Sequence, residues 1–435
     1  MAPTPTIIFV NLPPKTFIGI NLCSFNSSPN FHGITNLSPG LHFVYTGTDD
    51  SLSIRHGRWL NVLPYHEIHV LQWNNELEHL DVLNSKTATA QNIIKRLPEL
   101  RKRGLVDYNA LRDASTKQAA SQAASHNIED VGDDAEDQHQ EDPWPKLTSH
   151  ITSRLLNRVL SAGTADWVLT SISCAPGDTE HIPGLSSNEI ASVLEETQSL
   201  NLLPIDLKQT WSQTAVGRER TDMARDRSWY LSHLIKELRR HSASNAAVGE
   251  TTELSQQDAA RELLGELQFT FLMVLCLANY SCLEQWKRIL TVLLTCRSAL
   301  LEVEGFFVEV IRLLRLQVGR VEDVEGGLFE MADEMGSKWL RQLLRGFRSV
   351  VEEVVEDAAG PHGEKGKGVE KGKQVKEVFN ELERWLRERY GWEDEKNMLR
   401  RGMVQLEDGE MVELRMDGAD EEDEMGEYAP VVVET

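Results

Sequence analysis

A chain of 435 residues is too long for one ordinary hydrophobic core, so two folded domains joined by linkers are expected. Its 40% apolar and 26% charged residues are ordinary for a soluble globular protein. The formal net charge of −23 is not ordinary: a phosphate backbone would repel it, so no direct nucleic-acid partner is expected.

Met1 to Val10 lacks the basic stretch and long apolar run of a signal peptide. No run reaches the roughly 18 to 20 apolar residues that a membrane helix needs. The nearest, Phe269 to Leu277, soon meets Asn279 and Glu284 and reads as a buried core helix. Five scattered cysteines (Cys23, Cys174, Cys276, Cys282 and Cys296) read as reduced thiols, with cytoplasm and nucleus as the expected location and no membrane partner.

Residues 1–112 read as a β-rich, sandwich-like domain. Ile7 to Val10, Phe17 to Phe25, Leu41 to Tyr45 and Ile68 to Trp73 are strand candidates, separated by turn clusters such as Ser38-Pro39-Gly40. Thr87 to Arg103 looks helical, interrupted by Pro98. Residues 113–143 carry six acidic residues between Glu129 and Asp137 and almost no large apolar side chains, the mark of a disordered linker.

From 144 to 392 the pattern is helical. Leu147, Ile151, Leu155 and Val159 line one helix face. Ser186 and Glu189 form a capping box ahead of Ile190, Val193 and Leu194. Further helices are expected over 222–239, 257–278, 283–301, 306–317, 339–356 and 375–390, giving an all-α second domain with flexible loops near 242–256 and 360–373. Residues 393–435 read as an acidic tail ending in a strand-forming segment.

No catalytic signature stands out. The Gly/Lys stretch near 360–373 lacks the first glycine and the Ser/Thr of a phosphate loop. His66 and His69 lack the spacing of a zinc-protease helix. There is no Gly-x-Ser-x-Gly elbow and no Cys-x-x-Cys, so no catalytic residue, metal ligand or cofactor is assigned.

Two features point to binding. Arg218, Arg220, Arg225 and Arg227 alternate with acids, either as a self-paired helix or as a fork of donors for a partner's carboxylates. The chain ends in Tyr428-Ala429-Pro430-Val431-Val432-Val433 after an acidic spacer. Tyr428, Val431, Val432 and Val433 could add a strand to a partner's sheet edge, or fold back on the chain's own β domain, or fray. Ordering about seven residues costs on the order of 1–2 kcal/mol each. Burying those side chains returns roughly 1.5–3 kcal/mol apiece, so the tail alone binds weakly. Ser242, Ser244 and Ser255, with Thr251 and Thr252, are candidate phosphorylation sites whose added charge would weaken partner binding.

Glu262-Leu263-Leu264-Gly265-Glu266-Leu267-Gln268-Phe269 and Glu284-Gln285-Trp286-Lys287-Arg288 resemble the helical core of the AAR-two family. Pro39-Gly40-Leu41-His42-Phe43, after Phe31-His32-Gly33-Ile34, is similar to the first domain of that family. Gly217 to Thr221 and Asp226 to Trp229 look like its fungal members. The resemblance spans about Ile7 to Trp392 and departs at Asn21, where an acidic residue is expected. It implies a VHS-like helical domain and a non-catalytic chaperone of U5 small nuclear ribonucleoprotein (snRNP) assembly in pre-mRNA splicing. The implied partner is the large U5 scaffold protein with RNase H-like and Jab/MPN domains, held so that helicase docking is delayed. The alternatives are a VHS-like trafficking adaptor and a metal-dependent hydrolase built on the histidine-rich β domain.

Overall fold

The computed structural model describes residues 4–48, 54–64, 68–115, 142–160, 166–175, 178, 199–244, 254–321, 333–359, 372–392, 401–405 and 411–415. Contacts group the chain into two units. One comprises Met1–Leu203, Leu238–Ile289 and Leu316–Trp339; the other comprises Pro204–Glu237, Leu290–Arg315 and Leu340–Thr435.

The strands of the first unit are β1 (Thr6–Val10), β2 (Phe17–Ile20), β3 (Cys23–Asn26), β4 (Gly33–Thr35), β5 (Gly40–Gly47), β6 (His56–Val62), β7 (Ile68–Asn74), β8 (His79–Leu83), β9 (Leu105–Asp107) and β10 (Val168–Thr170). They make two five-stranded sheets, ordered β8-β7-β1-β4-β9 and β10-β6-β5-β2-β3. The first is mixed: β1 runs parallel to β7 and antiparallel to β4. The second is antiparallel throughout.

Alternation along the strands sends Ile7 and Phe9 from one sheet, and Ile18, Ile20, Val44, Leu60 and Val62 from the other, into a shared core. This is the expected sandwich. The other face of the second sheet is buried as well. There Trp59 packs at ring-centroid distances of 5.1 Å from Phe43, 5.8 Å from Trp144 and 6.1 Å from Phe269. A strand covered on both faces has no polar side, so the middle of β5, Phe43-Val44-Tyr45, reads as an apolar run rather than an alternating one.

The helices are α1 (Ala88–Lys95), α2 (Leu97–Arg103), α3 (residues 108–115), α4 (Trp144–Leu147), α5 (Ser153–Val159), α6 (Arg218–Arg225), α7 (Ser228–Ser244), α8 (Gln256–Leu277), α9 (Tyr280–Leu293), α10 (Ser298–Glu302), α11 (Glu304–Val318), α12 (Asp333–Ala359) and α13 (Lys373–Tyr390). Helix α8 is the spine of the first unit, buried almost all round from Glu262 to Leu277. Ser255 caps its start by accepting from the Asp258 N–H, and Ala278 ends it in a left-handed conformation. Among the described residues no helix is long and apolar enough to cross a membrane. In the second unit, Val375, Phe379, Leu382 and Leu386 form the buried stripe of α13, and Phe379 meets Phe347 of α12 edge-on at 5.0 Å.

The structure corrects several local expectations. Phe17 to Phe25 is a hairpin, because Asn21 turns the chain with φ +55°. The helix expected over 222–239 is broken at Asp226, whose extended backbone separates α6 from α7. The helix expected over 283–301 is likewise two, α9 and α10. Among the described residues the helical half contributes one strand: β10 pairs with β6, with Leu169 opposite Gly57. The loop near 242–256 is shorter than expected, since α7 runs through Ser244 and Ser255 already caps α8. The segment read as an acidic tail contains a hairpin, β11 (Arg401–Gln405) with β12 (Met411–Arg415). Asp408-Gly409 between them is the turn signal that could have revealed it. Most of the 113–143 linker, the Ser186–Glu189 capping box, residues 360–371 of the Gly/Lys stretch and Tyr428–Thr435 lie outside the described residues.

Candidate partner interface

The residues of the Glu262–Phe269 string, which carries much of the family resemblance, lie in the interior. Glu262 and Glu266, one helical turn apart on α8, face Arg158 of α5: its Nε donates to Glu262 at 2.8 Å and its Nη2 to Glu266 at 2.6 Å. Burial disfavours the Arg158 charge, but Glu266 and Glu262 outweigh it and hold the guanidinium protonated. The second Glu266 oxygen accepts from the Leu203 N–H at 2.8 Å and from Gln285 at 2.7 Å. Gln268 accepts from the His150 N–H and donates to the Lys146 carbonyl. Trp286 donates to Gln317, which donates to the Leu267 carbonyl. Gly265 is required by close approach: a Cβ there would stand 2.4 Å from the His150 carbonyl oxygen. The motif is a set of polar clamps around α8, and its carboxylates and amides are committed to Arg158, to Trp286 and to nearby backbone groups.

Asn21 has an equally specific structural task. Its Oδ1 accepts from the Phe43 N–H at 3.0 Å, which fixes the amide orientation. Its Nδ2 then donates to His42 Nδ1 at 2.9 Å and to the Tyr108 hydroxyl at 2.7 Å. His42 Nε2 in turn donates to the Ser38 carbonyl at 2.7 Å. Burial lowers the His42 pKa, so the imidazole is neutral and is held as an acceptor at Nδ1. His79 pairs with Asp81 at 2.8 Å, and its ring lies 5.9 Å from that of His56. Among the described residues no three His, Cys, Asp or Glu side chains converge as metal ligands would. His66 lies outside them.

The four arginines divide. Arg227 is half-buried and donates to Thr295 Oγ1 at 2.9 Å, and burial lowers its pKa. It is a structural residue. Arg218, Arg220 and Arg225 are exposed on α6, a helix with no buried residue. Arg218 has a long contact of 3.9 Å with Asp222, and Arg220 lies 4.2 Å over the Trp211 ring. The structure therefore supports the self-paired reading only for Arg218.

Asp226 is the joint behind this helix. It accepts from the N–H of Ser228, Arg297 and Ser298 and from both serine hydroxyls, so it caps the starts of α7 and α10 together. Burial pushes its pKa up, but the hydrogen bonds from Ser228, Ser298 and the Arg297 N–H outweigh this and hold the carboxyl below the usual range. Nothing in the spacing alone reveals that one aspartate serves two helices 71 residues apart.

Of the candidate phosphorylation sites, Ser242 and Ser244 lie on the α7 backbone and Ser255 is the exposed cap of α8, while Thr251 and Thr252 lie outside the described residues. The tail residues Tyr428, Val431, Val432 and Val433 also lie outside them. A surface that sequence reading missed is the run of tryptophans and arginines at the end of α13, where Trp385 and Trp392 sit beside Arg315 and Arg341. Its signal was two tryptophans in an arginine-rich helix end, on no obvious apolar stripe.

Two family models match the chain. The AAR2 N-terminal domain covers residues 3–161 and the AAR2 C-terminal repeat region covers residues 202–395. Protein AAR2 homolog from Mus musculus is 25% identical over 338 residues, covering 73% of this chain and 76% of the mouse protein. Protein AAR2 homolog from Homo sapiens is 22% identical over 336 residues, with the same two shares. The N-terminal match takes in β1 to β9 and Arg158, and the C-terminal match takes in α8 with Glu262, Glu266 and Gln268. The chain belongs to the AAR2 family.

Proposed function

We propose that this chain is a non-catalytic assembly chaperone of U5 snRNP biogenesis in pre-mRNA splicing, working in cytoplasm and nucleus. Its AAR2 relatives support the splicing-related part of this reading. The proposed partner is the large U5 scaffold protein with RNase H-like and Jab/MPN domains, held so that helicase docking is delayed until later.

The observation that carries the reading is a division of labour among polar residues. Glu262, Glu266, Gln268 and Gln285 are buried and satisfied by one another and by backbone groups, which suits a rigid body. Arg218, Arg220 and Arg225 stand outside on a helix that buries nothing. No residue of α6 is buried, so its side chains are accessible to a partner. The folded body grips, and Tyr428 with Val431–Val433 adds a strand at one edge of the partner.

Pull-down of the RNase H-like and Jab/MPN fragments tests this. Charge reversal at Arg218, Arg220 and Arg225, or deletion of Tyr428–Thr435, should each weaken capture about tenfold or more. Capture unchanged by both would sink the proposal.

A further inference from the structure

In a chain with 68 Asp and Glu against 45 Lys and Arg, an exposed arginine should readily find a carboxylate. Arg315 and Arg341 do not. Each lies over a tryptophan, Arg315 at 5.6 Å from the Trp385 ring centre and Arg341 at 4.7 Å from that of Trp392, and neither has an ion pair among the described residues. Tyr390 joins the two, 5.8 Å from Trp385 and 6.0 Å from Trp392. Arg389 lies 5.7 Å from the Tyr390 ring centre, so the result is one continuous surface of three exposed guanidiniums and three half-buried rings, drawn from α11, α12 and the end of α13.

A guanidinium held over a ring by a cation–π contact keeps N–H donors for other groups and has already lost part of its rotamer freedom. It is thus pre-organised to take carboxylates side-on. The stacked arginines also occupy ring faces that nucleobases would need, and the net charge of −23 opposes a long polyphosphate. The chemistry favours a short run of carboxylates.

Such a run lies close by along the chain. Arg401 pairs with Arg415 across the β11–β12 hairpin, so the chain returns beside residue 401 after leaving it. Only residues 393–400 separate Trp392 from that hairpin, a reach of up to about 28 Å when extended. Asp417 and the unbroken carboxylates Asp420-Glu421-Glu422-Asp423-Glu424 follow at once.

We propose that the surface formed by Arg315, Trp385, Tyr390, Trp392 and Arg341 holds the chain's own acidic segment, Asp417 to Glu427, and so fixes where the terminal strand Tyr428–Thr435 begins. The consequence for the strand rests on the partner-binding reading above; the docking itself does not, and its test contains no partner. A short tether places the segment at an effective concentration on the order of millimolar. A site with a dissociation constant in the tens of micromolar would then be occupied in cis nearly all the time.

The test uses the full-length chain and a fluorescein-labelled peptide of residues 417–427, read by anisotropy. The unaltered chain should take up the peptide weakly, because its own segment competes. Neutralising Asp420–Glu424 to Asn and Gln should raise the apparent affinity at least tenfold, and raising salt from 50 to 500 mM should reverse the gain. Adding R315A/R341A to the neutralised chain should abolish uptake, with circular dichroism confirming the fold, and R315K/R341K should weaken it several-fold. Equal uptake by the unaltered and neutralised chains overturns the proposal, as does uptake that survives the arginine changes. A labelled twelve-residue oligouridine bound as tightly through the same arginines overturns it in favour of a nucleic-acid site.

Discussion

Arg158 donates to Glu266 at 2.6 Å, and Glu266 is wholly shut off from solvent. The pair shows why a motif in α8 can mark a family without marking an active site. Removing a charge from water costs several kcal/mol, and here the partner guanidinium, the Leu203 N–H and Gln285 together offset it. R158A leaves Glu266 buried without its counter-charge and Glu262 with only the 3.8 Å contact from Arg154. We expect a loss of about 3–5 kcal/mol in urea unfolding. A loss below about 1 kcal/mol would show that the clamp is dispensable.

Asn21 and His42 make a second test, in which the sign of a pH effect is diagnostic. His42 is held neutral with a lowered pKa, so its contribution to stability is complete above the unfolded value near 6.5 and declines as pH falls toward the folded one. N21D replaces the donor facing Nδ1 by a carboxylate, which favours the imidazolium and removes the N–H that Asn21 donates to the Tyr108 hydroxyl. At pH 7.5 the variant should be less stable by about 1–3 kcal/mol. Its His42 pKa, followed by NMR, should rise above the wild-type value, and the stability deficit should shrink at pH 5.5. A deficit that widens on acidification contradicts the assigned tautomer.

Asp226 caps two helices with one carboxylate, so D226A should cost about 2 kcal/mol, at the upper end of single caps. Its folded pKa is held low, hence the stability it contributes is present above the unfolded value near 3.9 and is lost as pH falls through the folded one. Wild type and D226A should therefore differ most above about pH 5 and converge toward pH 3. Parallel curves of urea midpoint against pH would remove Asp226 from this role.

The arginines of the α6 region should separate stability from binding. R227A removes the bond to Thr295 and should lower the melting temperature by several degrees, consistent with about 1–2 kcal/mol. R218A and R225A, both exposed, should leave it within about a degree while weakening capture of the scaffold fragments. Thermal melts and pull-downs on the same preparations distinguish the two sets.

Much of this was legible from the sequence alone. The apolar runs at Ile7, Leu41 and Ile68 marked real strands, and the 3.6-residue spacing of Val375, Phe379, Leu382 and Leu386 marked a real helix, because these periods follow directly from which face must leave water. The family signatures were legible too, since they are local strings. Breaks between elements were less legible: the Asn21 turn and the Asp226 joint depend on hydrogen bonds to residues 22 and 71 positions away, which no local window contains. The strand β10 was invisible because three residues become a strand only when β6 offers them an edge.

What the sequence determined by itself is the inventory: an acidic chain, a β-rich beginning, helices after it, and strings shared with the AAR2 family. What only the tertiary structure decided is the assignment of each charge. Glu266, Arg158 and Arg227 are engaged inside, while Arg218, Arg225, Arg315 and Arg341 stand exposed. The physical reason is that a charge's role depends on its solvation and its nearest partner, and both are set by residues distant in the chain.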